Sequence, residues 1–465
     1  MIIDWLMPFR PVVVPHQSRV RRKSLQLVVP TQLEPRTLLS ALPVGPEFRV
    51  NSQTNSDQFS TSIAMDADGD FVVVWQSFAQ DGDGYGIYAQ RYNGVGIPQG
   101  GEFPVNSYTT AFQTLPSVAM DDDGDFVVTW QSFDQDAGSW GIYAQRFNAA
   151  GTPQGSEFPV NSTTTGAQEF PNVAMDANGD FVITWTSFDG SGSGVYAQRY
   201  NSAGTPQGGE FQVNTHTTNS QNFSAVAMDA SGNFAITWQS VGQDGLINES
   251  GIFAQRYNSA GTPQGGEFQV NTFTADNQGD PAIAMNASGN FIIAWESHNQ
   301  EGLGYGVYAQ RYNALGTLQG GELHVNTYST GDQLYPAVGM DADGDFTIAW
   351  QSFEQDGSSY GTHARHYNAG GFALGNDFMV NTWTTGAQQR PAIALDTDGD
   401  FVIAWESSSG QDGSGYGVYA QRYNSAGVAQ GSEFQVNSYT TSNQSFPSIG
   451  MDADGDFVIT WQSLG

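Results

Sequence analysis

The chain has 465 residues, 39% of them hydrophobic and 13% aromatic, with 56 glycines, which excludes a disordered chain and suits a turn-rich β protein. Its net charge of −32 repels nucleic acid and anionic membrane and draws cations, the plainer alternative being solubility in a salty medium. Zero cysteine excludes disulfides, thiolate nucleophiles and cysteine-based zinc sites, and no apolar run approaches the roughly 18 residues of a transmembrane span.

Residues 1–45 stand apart. They hold six of the fifteen basic residues (Arg10, Arg19, Arg21, Arg22, Lys23, Arg36) and two acids, so the remainder sets nine basic against 45 acidic residues, a net of −36 without a lysine. A basic patch precedes a short apolar stretch and the small residues Ser40 and Ala41, but Pro30 interrupts that stretch and it makes a poor secretory signal. By composition this is a targeting or disordered segment. Its residues Leu33-Glu34-Pro35-Arg36-Thr37-Leu38-Leu39 resemble the LEPR-x-LL segment near the start of large exported or surface proteins of some bacteria. The resemblance implies an extracellular or cell-surface destination.

From residue 46 to 465 one unit recurs, and this is taken as a single repeat domain. Its second copy reads VNSYTTAFQTLPSVAMDDDGDFVVTW, and copies begin at Val50, Val105, Val160, Val213, Val270, Val325, Val380 and Val436. A Trp follows each Val at a constant 25 residues: Trp75, Trp130, Trp185, Trp238, Trp295, Trp350, Trp405 and Trp461. Four strands are predicted per unit; in the second they are A (117–120), B (126–131), C (141–147) and D (157–160). Asp-Asp-Asp-Gly-Asp between A and B is a tight hairpin turn, with Gly where φ must be positive, and Asn148-Ala-Ala-Gly151 between C and D is another.

Strand B is apolar on both faces, so its sheet is covered on both sides. Each indole can remove roughly 150–250 Å² from water, an upper bound of about 4–6 kcal/mol per repeat. Spacing separates scaffold from surface. From each Trp to the aromatic of strand C (Tyr88, Tyr143, Tyr196, Phe253, Tyr308, His363, Tyr419) the interval runs from 11 to 15, and from there to the next Val it is always 17. All length variation falls in the B–C loop, which therefore lies on the surface. The invariant D–A link suits a crossing between neighbouring sheets.

Four strands per repeat of about 55 residues predict an all-β fold, a β-propeller. Eight blades are expected, with seven the other closure; the last blade is incomplete because the chain stops where its third strand should begin. The strand at Glu47–Val50 could join that blade and close the ring. A β-solenoid or linear repeat array is the alternative. The whole unit, VNSYTT…PSVAMDADGDFVVTWQS…GIYAQRYNSAGTPQGGEF, resembles the roughly 55-residue repeat of large bacterial surface and exported proteins, often found beside calcium-dependent adhesion modules. That implies an extracellular binding or adhesion role without catalysis. Ala64, Asp66, Gly69 and Trp75 are also loosely similar to a docking pattern of other propellers, from which no cofactor follows.

The A–B turns carry the sharpest candidates for chemistry. They are Asp66, Asp68 and Asp70; Asp121, Asp123 and Asp125; Asp341, Asp343 and Asp345; Asp396, Asp398 and Asp400; and Asp452, Asp454 and Asp456. Clustered carboxylates beside backbone carbonyls are what Ca²⁺ takes, although Gly comes fourth rather than sixth and no bidentate Glu follows, unlike an EF-hand. The other reading is that Asp and Asn are turn formers, as Asp229-Ala-Ser231-Gly-Asn233 and Asn286-Ala-Ser288-Gly-Asn290 do without the full acid set. One Arg in strand C (Arg91, Arg146, Arg199, Arg256, Arg311, Arg422) and one Glu opening strand D (Glu102, Glu157, Glu210, Glu267, Glu322, Glu433) are expected to form structural ion pairs; the sixth unit has His366 and Asp377 instead. His363 and His366, three apart on a strand, point to opposite faces and do not make a shared metal site. Gly-rich loops such as Gln80–Tyr85 lack the Lys and helix that phosphate binding needs.

The expected function is a secreted or surface propeller that binds a glycan or protein partner through its B–C loops, with calcium as its one candidate cofactor. These loops share one rim with the D–A links, and the Asp turns share the other. The alternative is an extracellular glycan-processing hydrolase or lyase with its site in the axial channel; a plain spacer comes third. Unlike residues converging on the channel would favour the enzyme, and eight equivalent rims the binder.

Overall fold

The computed structural model describes residues 2–4, 47–136, 138–245, 248–408 and 410–464. Eight four-stranded antiparallel sheets stand around one axis, each a blade with its first strand innermost. Seven are contiguous in sequence: blade 1 (58–104), blade 2 (113–159), blade 3 (168–212), blade 4 (221–269), blade 5 (278–324), blade 6 (333–379) and blade 7 (388–435). In blade 2 the strands are A Gln113–Met120, B Phe126–Asp136, C Ser139–Phe147 and D Phe158–Pro159.

The eighth sheet joins the two ends of the chain. Its strands A and B are Gln444–Met451 and Phe457–Ser463; the third is Ile2–Asp4, and Phe48–Arg49 completes the order. Ile2 registers with Trp461 and with Arg49. The last blade is the short one, as expected, with three residues in its third strand against seven to nine elsewhere. Phe48–Arg49 closes the ring as anticipated, but through Ile2–Asp4, residues of the segment set apart by composition. The closed ring excludes a solenoid or linear array. The LEPR-x-LL residues lie outside the described residues.

Blades adhere through indoles. Trp130 is fully buried in a cluster that takes Val72, Val74, Ile87, Ala89 and Val105 from blade 1 and Val118, Phe126, Val128, Tyr143 and Phe147 from blade 2. Eight such clusters occur, one per interface, and the one around Trp75 reaches Val458 of blade 8. Each sheet is thus buried on both faces, as the doubly apolar strand B required.

The constant D–A link is fixed by its Asn. Asn106 Oδ1 accepts the amide of Ile87 at 2.6 Å, while Nδ2 donates to Tyr108 O at 2.7 Å and to Gln113 Oε1 at 3.2 Å. An unchanged Val-Asn and an unchanged Gln seven residues on are the two ends of that brace. Among the described residues the expected Arg–Glu ion pairs do not form. Arg91, Arg146, Arg199, Arg256 and Arg311 instead donate through Nη2 to a carbonyl of the next blade (Ala149, Ser202, Ser259, Ala314 and Ala369). His366 does likewise, with Nε2 against Ser425 O at 3.1 Å. The glutamates bind the loop rim: Glu157 accepts from Gln135 Nε2 at 2.7 Å and from the Ser107 amide.

Candidate functional site

The Asp-rich rim is built as a set of capped turns. Asp121 Oδ1 accepts the amides of Asp123 at 3.0 Å and Asp125 at 2.9 Å, and Asp125 Oδ1 accepts the amide of Ala149 in the C–D turn at 2.8 Å. The same division holds for Asp66 and Asp70 and for Asp396 and Asp400, whereas Asp341 Oδ1 takes the amides of Gly344 and Asp345, and Asp345 Oδ1 takes that of Ala369. Asp452 likewise accepts the amides of Asp454 and Asp456. The middle acids, Asp68, Asp123, Asp343, Asp398 and Asp454, are exposed. Burial, with the neighbouring carboxylates adding to it, lifts Asp66 and Asp396 to about 6 against the amide hydrogen bonds that lower them.

Among the described residues no group of three or more His, Asp or Glu side chains is placed to hold a metal. The geometry accounts for the turn without a cation and adds nothing to the calcium expectation. Blade 5 supplies an internal control, because Asn286 Oδ1 takes the amides of Ser288 and Asn290 at 3.2 and 3.0 Å. Asp121→Asn is therefore expected to leave stability within about 0.5 kcal/mol, and Asp121→Ala to cost about 1–2 kcal/mol, by urea unfolding.

His363 stacks on Trp350 and is pushed down to about 4 by burial, while His366 Nδ1 lies 2.7 Å from Thr347 Oγ1; they have separate neighbours.

The axis holds a feature of another kind. Strand A of every blade carries a bulge opposite the Trp of strand B: in blade 2, Thr114 registers with Gln131 and Ser117 with Thr129, so Leu115 and Pro116 together face Trp130. The first bulge residue is left-handed in all eight blades, with φ from 48° to 59°, and none is glycine: Ser60, Leu115, Phe170, Phe223, Asp280, Tyr335, Arg390 and Phe446. Such a conformation costs a non-glycine residue on the order of 1–3 kcal/mol and persists only where its surroundings fix it. In five of the eight a side chain from the preceding blade does so. The residue after the Trp accepts the bulge amide: Gln76 from Leu115 at 2.9 Å, Gln131 from Phe170 at 3.0 Å, Glu296 from Tyr335 at 3.2 Å, Gln351 from Arg390 at 3.2 Å and Glu406 from Phe446 at 3.0 Å.

Leaving the ladder turns these side chains to the axis, where seven of the eight line a cavity of about 1850 Å³. Asn51, Thr54 and Ser56 of a D–A link line it too, so it opens on the loop rim. Phe170, Phe223, Tyr335 and Phe446 are each about half exposed (48–55%). Charged wall groups are Glu47, Arg49, Asp57, Asp280 and Arg390. Arg390 Nε lies 3.3 Å from Glu406 Oε1, and its guanidinium sits 4.1 Å over the Phe446 ring. Asp280 is raised by burial, and Glu296 is lifted to about 8 by burial first and by Asp280 next.

The cavity residues were absent from the expected site. A signal for them existed: between the unchanged Gln58, Gln113, Gln168, Gln221, Gln278, Gln333, Gln388 and Gln444 and the residue that is Pro in six of the eight units lie two positions, of which the first differs in every copy and the second takes six residue types. Unlike side chains amid near-identical neighbours mark positions the scaffold does not dictate.

No protein-family model matches the sequence, and no curated protein is significantly similar to it. Among solved structures the chain is similar to an ulvan lyase (12% identity, 74% of this chain and 88% of that one, TM-score 0.47). It is also similar to the β-propeller domain of the trilobed protease of Pyrococcus furiosus (8%, 83% and 98%, TM-score 0.46) and to an α-L-arabinanase of Penicillium chrysogenum (13%, 62% and 87%, TM-score 0.40). Likeness at this level assigns no chemistry to the chain. No helix among the described residues is long and apolar enough to cross a membrane.

Proposed function

We propose that the protein is an extracellular glycan-binding propeller whose site is the axial cavity rather than the B–C loops. The observation that carries this is that seven of the eight equivalent, left-handed bulge positions line one open cavity, with side chains of five different types. A sugar ring offers apolar C–H faces and a girdle of hydroxyls. Phe170, Phe223, Tyr335 and Phe446 supply aromatic faces, and Thr54, Ser56 and Asn172 supply amide and hydroxyl partners on the same wall. A phosphate-bearing polymer is disfavoured by the charge of the repeat domain.

A glycan array probed with the full chain is the test. Binding of at least one neutral oligosaccharide is expected, weakened about tenfold or more by Phe170→Ala or Tyr335→Ala at unchanged melting temperature. Array-wide silence, or binding indifferent to both changes, overturns the reading.

A second reading, processing of the same glycan, is favoured by one observation: Asp280 on the wall is held towards its protonated form, as a general acid must be. Unlike residues at the axis weigh the same way. A polysaccharide-degradation assay of the chain and of Asp280→Asn separates the two, since turnover abolished by that change selects the enzyme.

A further inference from the structure

Two corners of the ring carry a buried glutamate where Gln76, Gln131 and Gln351 supply an amide. In blade 7 the corner is complete. Glu406, 3% exposed, accepts the Phe446 amide through Oε2; its Oε1 faces the Arg390 guanidinium and takes Gln389 Nε2 at 2.8 Å; the guanidinium lies over the Phe446 ring. Carboxylate, cation and aromatic face stack in order.

Blade 5 has the same frame. Glu296, 9% exposed, accepts the amide of Tyr335 on the next blade, as Glu406 does from Phe446. The position equivalent to Arg390, sixteen residues before the glutamate in both, is Asp280. A carboxylate therefore stands where the other corner has its cation. The charged groups acting on Glu296 are Asp280 and Asp332, both acids. A buried carboxylate with like-charged neighbours is costly unless it is protonated or meets a cation, and this corner opens on the cavity through Asp280 and Tyr335.

We propose that the blade-5 corner binds the ammonium group of an amine-bearing saccharide, which takes the place that Arg390 fills in blade 7. Asp280 is its counter-ion and Tyr335 its aromatic face. This rests on the reading of the cavity as a glycan site and adds the class of sugar. Resident calcium is the poorer occupant, because two carboxylates fall well short of its roughly six to eight oxygen ligands. An anionic sugar finds little here, since Arg390 is already matched by Glu406 and Arg49 stands in blade 8, on another part of the wall.

The test is calorimetric titration of the full chain, at mildly acid pH, with a β-linked glucosamine hexasaccharide and with its N-acetylated counterpart. The amine form is expected to bind about tenfold tighter, and Asp280→Asn to bring the two within about twofold. Asp280→Arg, which copies the blade-7 corner, should abolish the preference while raising the melting temperature. Equal binding of both sugars, or a preference that survives Asp280→Asn, overturns the inference and leaves the glycan site standing. Binding of neither sugar overturns the inference, while the glycan site itself falls only if the array is silent as well. Calcium alone binding the parent but not Asp280→Asn assigns the corner to a metal and also overturns the inference.

Discussion

Replacing Trp130 by alanine is expected to lower the free energy of unfolding by about 3–5 kcal/mol, measured by urea denaturation followed by circular dichroism. The indole is fully buried between two blades, touching apolar side chains of both, and lies opposite the bulge that turns Leu115 out of the ladder. Its loss leaves a cavity at an interface held chiefly by side-chain packing, because strands of different blades share no ladder in the strand order. A cost under about 1 kcal/mol would mean that the blades are held by something other than their indoles. Trp75→Ala should cost as much and also weaken closure, since its cluster spans blade 1 and Val458 of blade 8.

The second large effect is a dependence on pH. Glu296 is lifted to about 8, and Asp66 and Asp396 to about 6. A carboxyl whose folded pKa lies above its unfolded one binds its proton more tightly when folded. The stability that this gives is present below the unfolded value, near 4, and is lost as pH rises through the folded value. The protein is therefore expected to lose stability steadily between about pH 4 and pH 8. Glu296→Gln should abolish the largest part, gaining on the order of 4 kcal/mol over the parent above pH 8 and nothing near pH 4. Glutamine fits, since Gln131 and Gln351 accept the same amide in other blades. If the parent is no less stable at pH 8 than at pH 5, or the variant gains equally at both, Glu296 is not the strained group.

Much of the architecture was legible in the chain. A Trp every 53 to 57 residues, a strand B apolar on both faces and a constant Val-to-Trp interval across the D–A half of each unit gave stacked four-stranded sheets and placed the variable loops on one rim. The Asp-Gly turns were legible too, and Gly69 and Gly124 do take positive φ. The Arg–Glu pairing was misread because residues matched along the sequence are not the ones that meet. Five of the six arginines reach a carbonyl of the following blade, a partner that exists only once blades stack. The axial ring was missed for a related reason, since nothing in the identity of Phe170, Tyr335 or Arg390 announces a left-handed backbone.

The chain alone determined what is local and periodic: strand, turn and buried indole recur because each unit faces the same two neighbours, and any copy reports the rule for all. The assembled ring decided what is singular. Ile2–Asp4 completes a blade with residues more than four hundred positions away. Eight bulges meet at one axis, and there a single pair of acids, Asp280 and Glu296, stands without the arginine that its counterpart in blade 7 enjoys. Charge imbalance of that sort is a property of which side chains face one another, and convergence on an axis is fixed only when the circle shuts.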